Sequence, residues 1–270
     1  MSPASQLWYV YGITPATIDV RRAPDGVDDT PIELCVDDDL AAVASRLDAA
    51  RYSPGEIERG TENVEWLAPR AVAHDRVLTW LSDHGPVVPL PVFSLFSAEE
   101  AVRKTLRERS AELRNTLRRV DRGREYALRV YRIDAELASV AAEHSPRLAE
   151  LEASAAKATP GQRYLLERKL EAERKKELHG IGASIAREIA ATLRPFAVET
   201  AETRVSTRAV RAEAEGTLVL DIAFLIEPAS LEDFQRVLTD IMTRHGGRGF
   251  RFDFTGPWPP YHFVQPRDDR

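Results

Sequence analysis

The sequence has a single cysteine, Cys35, so no disulfide can form within the chain. Its place inside the apolar run Ile32–Val36 predicts a buried, unreactive thiol. The longest apolar runs, such as Leu218–Ile226, are far shorter than the roughly 20 residues that a membrane-spanning helix needs. The N-terminus has neither the basic region nor the cleavage site of a secretory signal. These absences predict a soluble protein of the reducing cytoplasm that does not enter a lipid membrane.

The sequence also lacks an excess of positive charge. Its 37 Lys and Arg residues face 43 Asp and Glu residues, which gives a formal net charge of −6. A non-specific nucleic-acid binder needs a net attraction to phosphate, so we expect no nucleic-acid partner. With 270 residues and 43% hydrophobic content, the chain is long enough for one large domain or two ordinary ones, and we favour two.

Signatures of catalysis are missing as well. There is no phosphate-binding loop followed by Lys and Ser or Thr, no dinucleotide fingerprint and no nucleophile elbow. The glycines of Gly246–Gly249 are explained by a turn between a helix and a strand, with an anion-binding loop as the alternative. The histidines are scattered one to a predicted element, which favours neither a metal site nor a triad: His74, His84, His144, His179, His245 and His262. We therefore expect a binding or assembly protein without cofactor or metal, not an enzyme.

The sequence does contain a proline-rich aromatic segment near its end, Phe254–Val264. Pro257, Pro259 and Pro260 lack backbone donors, and each proline pushes the residue before it toward extended conformations. Aromatic side chains left in water forfeit roughly 1.5–3 kcal/mol each. We therefore predict that residues 255–270 form an extended strap that packs on the folded body; a disordered tail is the alternative. The candidate contacts with a partner or between domains are Trp258, Pro259, Pro260, Tyr261 and Phe263.

Residues 1–121 predict an α+β domain. Leu7–Ile13 and Ile32–Val36 have strand patterns, whereas the alanines of Leu40–Leu47 leave a strand and a short helix both open. Helical spacing then runs from Val64 to Leu81. His74 lies on or beside the apolar face of this helix, and we favour a buried, hydrogen-bonded histidine over a ligand or a catalytic group.

The rest of this domain is a proline-containing strand followed by a helix. In Val87–Phe96, the two prolines Pro89 and Pro91 remove donors from the same side, which predicts an edge strand or a bulge. Ser97 and Glu100 predict a capping box that starts a helix reaching Val120. One face of that helix is rich in arginine: Arg103, Lys104, Arg107, Arg109, Arg114, Arg118 and Arg119. This face is either a site for an acidic partner or a solvated surface paired with nearby glutamates, and we favour the second.

Residues 122–254 predict a second α+β domain, of the ferredoxin-like βαββαβ type with enlarged helices in its first crossover. We expect the first helix to bend at Pro146 and the next to start at a capping box of Thr159 and Gln162. The charged stretch Glu171–Glu177 is expected to project into solvent, and Ser230 with Asp233 to cap the last helix. The predicted strands are Glu125–Ile133, Glu199–Val210, Thr217–Ile226 and Phe250–Phe254.

The tail motif TGPWPPYHFV resembles the C-terminal signature of the gas vesicle protein F/L family. Other stretches resemble that family in the same order along the chain: LWYVYGI, VVPLPVFSLFSAEEAV, GREYALRVY, TPGQRYLLERKL and LDIAFLI. The resemblance covers essentially the whole chain. It departs at Val92 and Ser94, where the family usually has arginine and glycine, and at Asp221, where asparagine is common.

This resemblance implies a minor, non-enzymatic protein needed to form gas vesicles, located at the vesicle and cytoplasmic before assembly. It implies as partners the very hydrophobic major shell protein and other minor vesicle proteins. The surfaces expected to bind are an exposed sheet edge, which can accept a strand, and the strap around Trp258. The competing hypothesis is a regulatory module that binds a small ligand or an anion on the ferredoxin-like scaffold, for instance near His245–Arg248.

Overall fold

The protein, a computed structural model, is described over residues 6–203 and 216–264. The chain divides into two compact units. Unit 1 holds the residues up to Glu125 together with those from Pro257 onward, and unit 2 spans Tyr126–Gly256. The described part of the predicted strap therefore lies in unit 1. Both units are α+β, as predicted. Within the described ranges, no helix combines the length and the apolarity needed to cross a bilayer.

Unit 1 is built on a sheet with strand order β2-β3-β1-β4, in which β5 also pairs with β1. The ambiguous alanine-rich segment is a strand, β3, paired antiparallel with β1 along nearly its whole length. The elements are β1 (Gln6–Pro15), β2 (Glu33–Asp37), β3 (Leu40–Asp48), α1 (Pro54–Thr61), α2 (Val64–His84), β4 (Val88–Pro89), β5 (Leu95–Phe96), α3 (Glu99–Glu108) and α4 (Ser110–Val120).

The sheet of unit 1 is covered on both faces. Trp8 and Val10 of β1 pack with α3 and α4, whereas Tyr9 and Tyr11 pack with α2. Successive strand residues point to opposite faces, so a strand between two helical layers must be apolar throughout. Alanine suits β3 because small side chains let both layers approach the sheet, and residues 41–44 are at most 1% exposed.

The segments after α2 differ from prediction. The strand predicted over Val87–Phe96 is two short pieces, because a turn at Val92 and Phe93, with φ of 65° at Phe93, interrupts the pairing with β1. These pieces do form an edge, as the prolines indicate. The predicted Ser97 capping box was wrong: α3 starts one residue later, at an Ala98 cap that makes no side-chain bond. The helix also breaks at Arg109, whose φ and ψ of −105° and 11° are not helical.

Unit 2 has a four-stranded sheet of order β7-β8-β6-β9. Its elements are β6 (Arg124–Arg132), α5 (Asp134–His144), α6 (Pro146–Lys157), α7 (Pro160–Leu193), β7 (Glu199–Glu202), β8 (Thr217–Ile226), α8 (Leu231–His245) and β9 (Phe250–Trp258). This element order, with β8 between β6 and β7, is that of a split βαβ arrangement. The strand predicted over Glu199–Val210 is described only as β7, since residues 204–215 lie outside the described part of the chain.

The core of unit 2 is one cluster. Alternate residues of β6 and β8, such as Leu128, Ile222 and Phe224, pack against Ile189 of α7 and Phe234 of α8. Because only alternate positions enter this cluster, β6 keeps the strong alternation that a strand with two unlike faces shows. The alternation explains why the sequence pattern located this strand well.

The helices of unit 2 correct two predictions. The first helix does not continue through a bend at Pro146: α5 ends at His144, and Ser145 caps the new helix α6. The Ser145 Oγ accepts from the Leu148 N–H at 3.3 Å and donates to Glu177 at 2.8 Å. The predicted cap of α8 is right in position, since Ser230 is the N-cap residue, but the expected bond from its side chain is absent. The start of α7 is as predicted: Gln162 accepts from the Thr159 N–H at 3.3 Å.

The charged middle of α7 was predicted to project into solvent, but in the structure it is paired with a second helix. It lies along α6, with Arg147 bonded to Glu173 at 3.2 Å and Arg174 bonded to Glu152 at 3.0 Å. The two helices form an antiparallel hairpin, since partners early in α6 meet residues late in this stretch. Glu173 and Arg174, which lie where the apolar stripe of α7 is interrupted, thus pair with residues of a second helix. The sequence pattern of one helix does not reveal such a partner.

Candidate functional site

The described end of the chain is partly strand and partly turn. β9 is extended as far as Trp258, and the chain then turns, with the Tyr261 N–H donating to Pro259 at 2.7 Å and the Phe263 N–H donating to Pro260 at 3.1 Å. The predicted strap is thus extended only in its first part. We call residues 258–264 the C-terminal turn.

The five predicted contact residues divide into two groups. Pro259, Pro260 and Phe263 are buried, and Phe263 is only 2% exposed. Trp258 and Tyr261 keep 39% and 37% of their surface in solvent. Burying a phenylalanine contributes about 1.5–3 kcal/mol, so Phe263 and the prolines hold the turn. The turn therefore combines a buried anchor with two partly exposed aromatic side chains.

Three side chains outside the C-terminal turn, Glu125, Asp75 and Arg119, fix it to the rest of unit 1 by polar contacts. Glu125, 2% exposed, accepts from the His262 N–H at 3.0 Å and lies 2.6 Å from its Nδ1. Tyr261 donates from its hydroxyl to Asp75 at 2.9 Å, and Arg119 donates to the Phe263 carbonyl. Burial, together with the nearby Asp75 carboxylate, raises the pKa of Tyr261, which therefore remains a donor at neutral pH. A buried carboxylate needs such partners, so Glu125 anchors the turn within unit 1.

Beside the C-terminal turn, unit 1 has an open cleft of about 590 Å³. Its walls come from α2, from the edge segment 88–92, from the α3–α4 break and from the turn. The lining residues are Ala71, His74, Asp75, Val88, Pro89, Leu90, Pro91, Val92, Arg109, Tyr261 and Val264. Most of these side chains are apolar, and the cleft borders one of the two exposed aromatic rings.

His74, at the wall of the cleft, is a structural residue. Its Nε2 donates to the Leu90 carbonyl at 3.1 Å, so its Nδ1 is the acceptor for the Tyr9 hydroxyl at 2.8 Å. The Tyr9 oxygen in turn accepts from the Phe93 N–H at 3.3 Å. Burial lowers the pKa of His74, which favours this neutral form. The favoured interpretation of His74 is confirmed: it holds the edge segment to the sheet.

A smaller cavity of about 200 Å³ adjoins the cleft, and Leu90 and Arg109 belong to the walls of both. It lies between the sheet and α3. Its lining is largely apolar: Val10, Ile13, Ala42, Leu90, Ser94, Leu95, Phe96, Val102, Thr105, Leu106 and Arg109. Thr105 bonds to its own helix at Ala101, and Arg109 is paired with Glu112 at 2.7 Å. The cavity therefore presents mainly apolar surface to whatever enters it.

In the described ranges, no three His, Cys, Asp or Glu residues converge to hold a metal ion. Cys35 is fully buried in the core, and burial raises the pKa of its thiol, so it is a poor nucleophile. At the glycine-rich turn, Gly247 and Gly249 have φ of 71° and 94°, and turn geometry accounts for both glycines. The arrangement is suited to binding apolar surface.

Comparisons with known proteins identify the family. Residues 7–265 match the gas vesicle synthesis protein GvpL/GvpF family. The chain belongs to this family. It is 27% identical over 261 residues to gas vesicle protein L of Streptomyces sp. (strain CB03234), covering 96% of this chain and 93% of that protein. It is 25% identical over 243 residues to gas vesicle protein L2 of Halobacterium salinarum (strain ATCC 700922 / JCM 11081 / NRC-1), covering 88% and 83%. Both names describe gas vesicle proteins, and neither describes an enzyme.

Solved structures of GvpF share the fold. The chain matches the crystal structure of GvpF from Anabaena sp. PCC7120 with a TM-score of 0.68, covering 97% of this chain and 98% of that one. For GvpF from Microcystis aeruginosa the TM-score is 0.66, with 96% and 99% covered. Sequence identity is 18% in both cases, so these matches establish the α+β fold alone. The resemblance inferred from sequence motifs is confirmed.

In this GvpL/GvpF family member, two of the motifs that carried the resemblance meet in space. VVPLPVFSLF supplies the edge segment of the cleft, and PWPPYHFV supplies the C-terminal turn. Sequence reasoning did not link the C-terminal turn to the residues that hold it, Glu125, Asp75 and Arg119, which lie far from the turn along the chain. No local signal marked Glu125, because β6 also contains the charged residues Arg124, Arg129 and Arg132.

The arginine-rich face of this GvpL/GvpF protein is largely paired internally. Arg107 and Arg114 reach the acidic residues of the β2–β3 turn, with Arg114 2.7 Å from Asp39. Arg103 pairs with Glu99 at 2.7 Å and Lys104 with Glu108 at 3.7 Å. These contacts agree with the favoured interpretation, a solvated face with internal ion pairs.

Proposed function

We propose that this chain is a non-enzymatic minor gas vesicle protein required for vesicle formation, which binds the hydrophobic major shell protein as assembly adaptor, nucleator or chaperone. Its other partners are minor vesicle proteins, not nucleic acid or a lipid membrane. In this proposal the protein is cytoplasmic before assembly and acts at the vesicle. One observation supports it above the others: in a member of this family, two large aromatic side chains, Trp258 and Tyr261, remain exposed on a turn that buried contacts hold rigid.

The proposal rests on a physical need of the partner. A shell protein that faces gas after assembly has an apolar surface, which aggregates in water before assembly unless something shields it. Large aromatic side chains on a rigid support are efficient contacts, because little side-chain freedom is lost when they bind. Trp258 and Tyr261 have this character.

The test is co-expression with the major shell protein, followed by measurement of how much of it stays soluble and co-purifies with this chain. We expect the double variant Trp258→Ala and Tyr261→Ala to retain about tenfold less shell protein, as is typical when aromatic contacts at the centre of an interface are truncated. Trp258→Phe with Tyr261→Phe keeps the aromatic surface and is expected to retain most of the binding.

Met242 gives a matched control in unit 2, because it is a large hydrophobic residue with a similar exposure, 41%. Met242→Ala is expected to leave retention of the shell protein unchanged. Equal losses in Met242→Ala and the double alanine variant would contradict a specific role for the turn. Failure of the unmodified chain to keep any shell protein soluble would contradict the proposed function itself.

A further inference from the structure

The edge of the sheet beside the cleft is unsuited to strand addition. The Leu90 N–H donates inward to the Tyr11 carbonyl at 2.9 Å, so the outward positions on either side are Pro89 and Pro91. Neither has an N–H. The Pro91 carbonyl already accepts from Ser94, at 3.2 Å from the backbone N–H and 2.7 Å from Oγ. A partner strand needs alternating donors and acceptors, and this edge offers no donor at either proline.

The opposite wall of the cleft is a helix face with exposed apolar residues. Ala71 lines the cleft, and Ala68 and Val64 lie on the same face, one and two turns toward the start of α2. Val64 is 75% exposed and Ala68 is also exposed. An apolar stripe over two turns of one helix face is the surface on which a second helix packs.

The charged and polar side chains in the cleft wall have partners within unit 1. Asp75 is bonded to Tyr261, Arg109 is paired with Glu112, and neutral His74 is bonded at both ring nitrogens. The wall therefore has little to offer a charged ligand and favours an apolar one.

The adjoining cavity is the size of one large apolar side chain. An apolar cavity of about 150 Å³ in another protein accepts benzene. The present cavity, at about 200 Å³, has room for a leucine, isoleucine or phenylalanine side chain that enters past Leu90 and Arg109.

We propose that the cleft of unit 1 binds the apolar face of an amphipathic helix of the partner, with one large aliphatic or aromatic side chain inserted into the adjoining cavity. Binding is helix-in-groove, not strand addition. This inference rests on the proposed function, which supplies the major shell protein as the partner, and adds the mode of recognition.

The first arm of the test uses two exposed valines of α2 in the co-purification with the major shell protein. Val64→Glu places a charge on the cleft face, whereas Val72→Glu makes the same change about 100° around the helix from Ala71. Val72 is 65% exposed, so both variants are expected to fold. We expect Val64→Glu to reduce retained shell protein about tenfold and Val72→Glu to change it less than about twofold.

The second arm fills the cavity. Thr105→Leu adds side-chain volume there, whereas Thr105→Val keeps the volume and removes only the hydroxyl. We expect Thr105→Leu to reduce retention about tenfold and Thr105→Val to reduce it less than about twofold, with circular dichroism showing that both fold. Pro91→Ala restores an outward N–H and is expected to give no gain, because no strand is added.

The outcomes separate the two proposals. Binding by the unmodified chain that is insensitive to both Val64→Glu and Thr105→Leu overturns the groove and leaves the proposed function standing. A gain in Pro91→Ala overturns helix binding in favour of strand addition. A chain that retains no shell protein overturns the proposed function, and this inference falls with it.

Discussion

The two units are both α+β, but they bury their sheets differently. In unit 1, neighbouring residues of β1 enter two separate core clusters, one on each face of the sheet. In unit 2, alternate residues of β6 and β8 enter one cluster. A sheet covered on both faces leaves no solvent face for polar side chains, and although the Thr14 hydroxyl is buried without a hydrogen-bond partner, the largest buried polar side chains of unit 1 have partners in the core. Tyr9, Tyr11 and His74 all have such partners.

This difference explains where the candidate binding surfaces of unit 1 lie. With both faces of the sheet covered, apolar surface remains open at the sheet edge, where α2, Pro89–Pro91 and the C-terminal turn border the cleft. The turn is held there by the buried Glu125. The four predictions below test how far the two units depend on their own contacts.

The largest effect is expected from Phe263→Ala. Removing this buried ring leaves a cavity under the C-terminal turn and should lower the unfolding free energy of unit 1 by about 3–5 kcal/mol. Hydrogen exchange measures this as easier opening of α2, with α7 as the unit 2 reference. Tyr261→Phe, which loses only a hydroxyl, is the control. Equal loss of protection in α7 would show that the comparison between separate units does not hold.

A smaller effect is expected from His74→Leu. This change leaves the Tyr9 hydroxyl and the Leu90 carbonyl without their buried partner, which should lower the stability of unit 1 by about 2–3 kcal/mol. The measurement is again exchange in α2, together with the urea midpoint. Unchanged stability would mean that polar groups in the core of unit 1 do not need their partners, against the argument made above.

The same histidine predicts a pH dependence in unit 1. Burial lowers the pKa of His74 below its ordinary value of 6.5, so on acidification the unfolded chain takes up this proton before the folded chain does. The contribution of neutral His74 to the unfolding free energy of unit 1 is complete above about pH 6.5. It is lost as the pH falls toward the lower pKa that His74 has in the folded state. The α2 opening free energy should therefore fall on acidification more in the unmodified chain than in His74→Leu. Parallel pH profiles would contradict this origin.

The smallest effect is expected in the helical hairpin of unit 2. Ser145→Ala removes the N-cap of α6 and the bond to Glu177, which should cost about 1 kcal/mol. Arg147→Ala, which removes an exposed pair with Glu173, is the control, and we expect no measurable shift of the midpoint. If Arg147→Ala were the more damaging change, the hairpin would depend on its ion pairs and not on its cap.

Prediction from sequence succeeded where the pattern was local. The alternation in Glu125–Ile133 located β6, and the Thr159 capping box located the start of α7. It failed at α3, where Ser97 matches the motif but the helix starts one residue later, and it was only half right at α8, where Ser230 is the N-cap residue but makes no side-chain cap bond. A capping pattern shows only which side chains are able to form a cap hydrogen bond. The packing of the preceding segment decides where the first helical turn begins and whether that bond forms.

By itself the sequence determined the family, the α+β composition of both units and the donor-free edge at Pro89 and Pro91, because motifs, periodicity and missing N–H groups are properties of the local chain. Only the tertiary structure decided which aromatic side chains of the C-terminal turn stay exposed. Phe263 is buried while Trp258 and Tyr261 are not, because Glu125, Asp75 and Arg119 orient the turn from positions far away in the sequence. Burial depends on such distant partners, and no local pattern contains them.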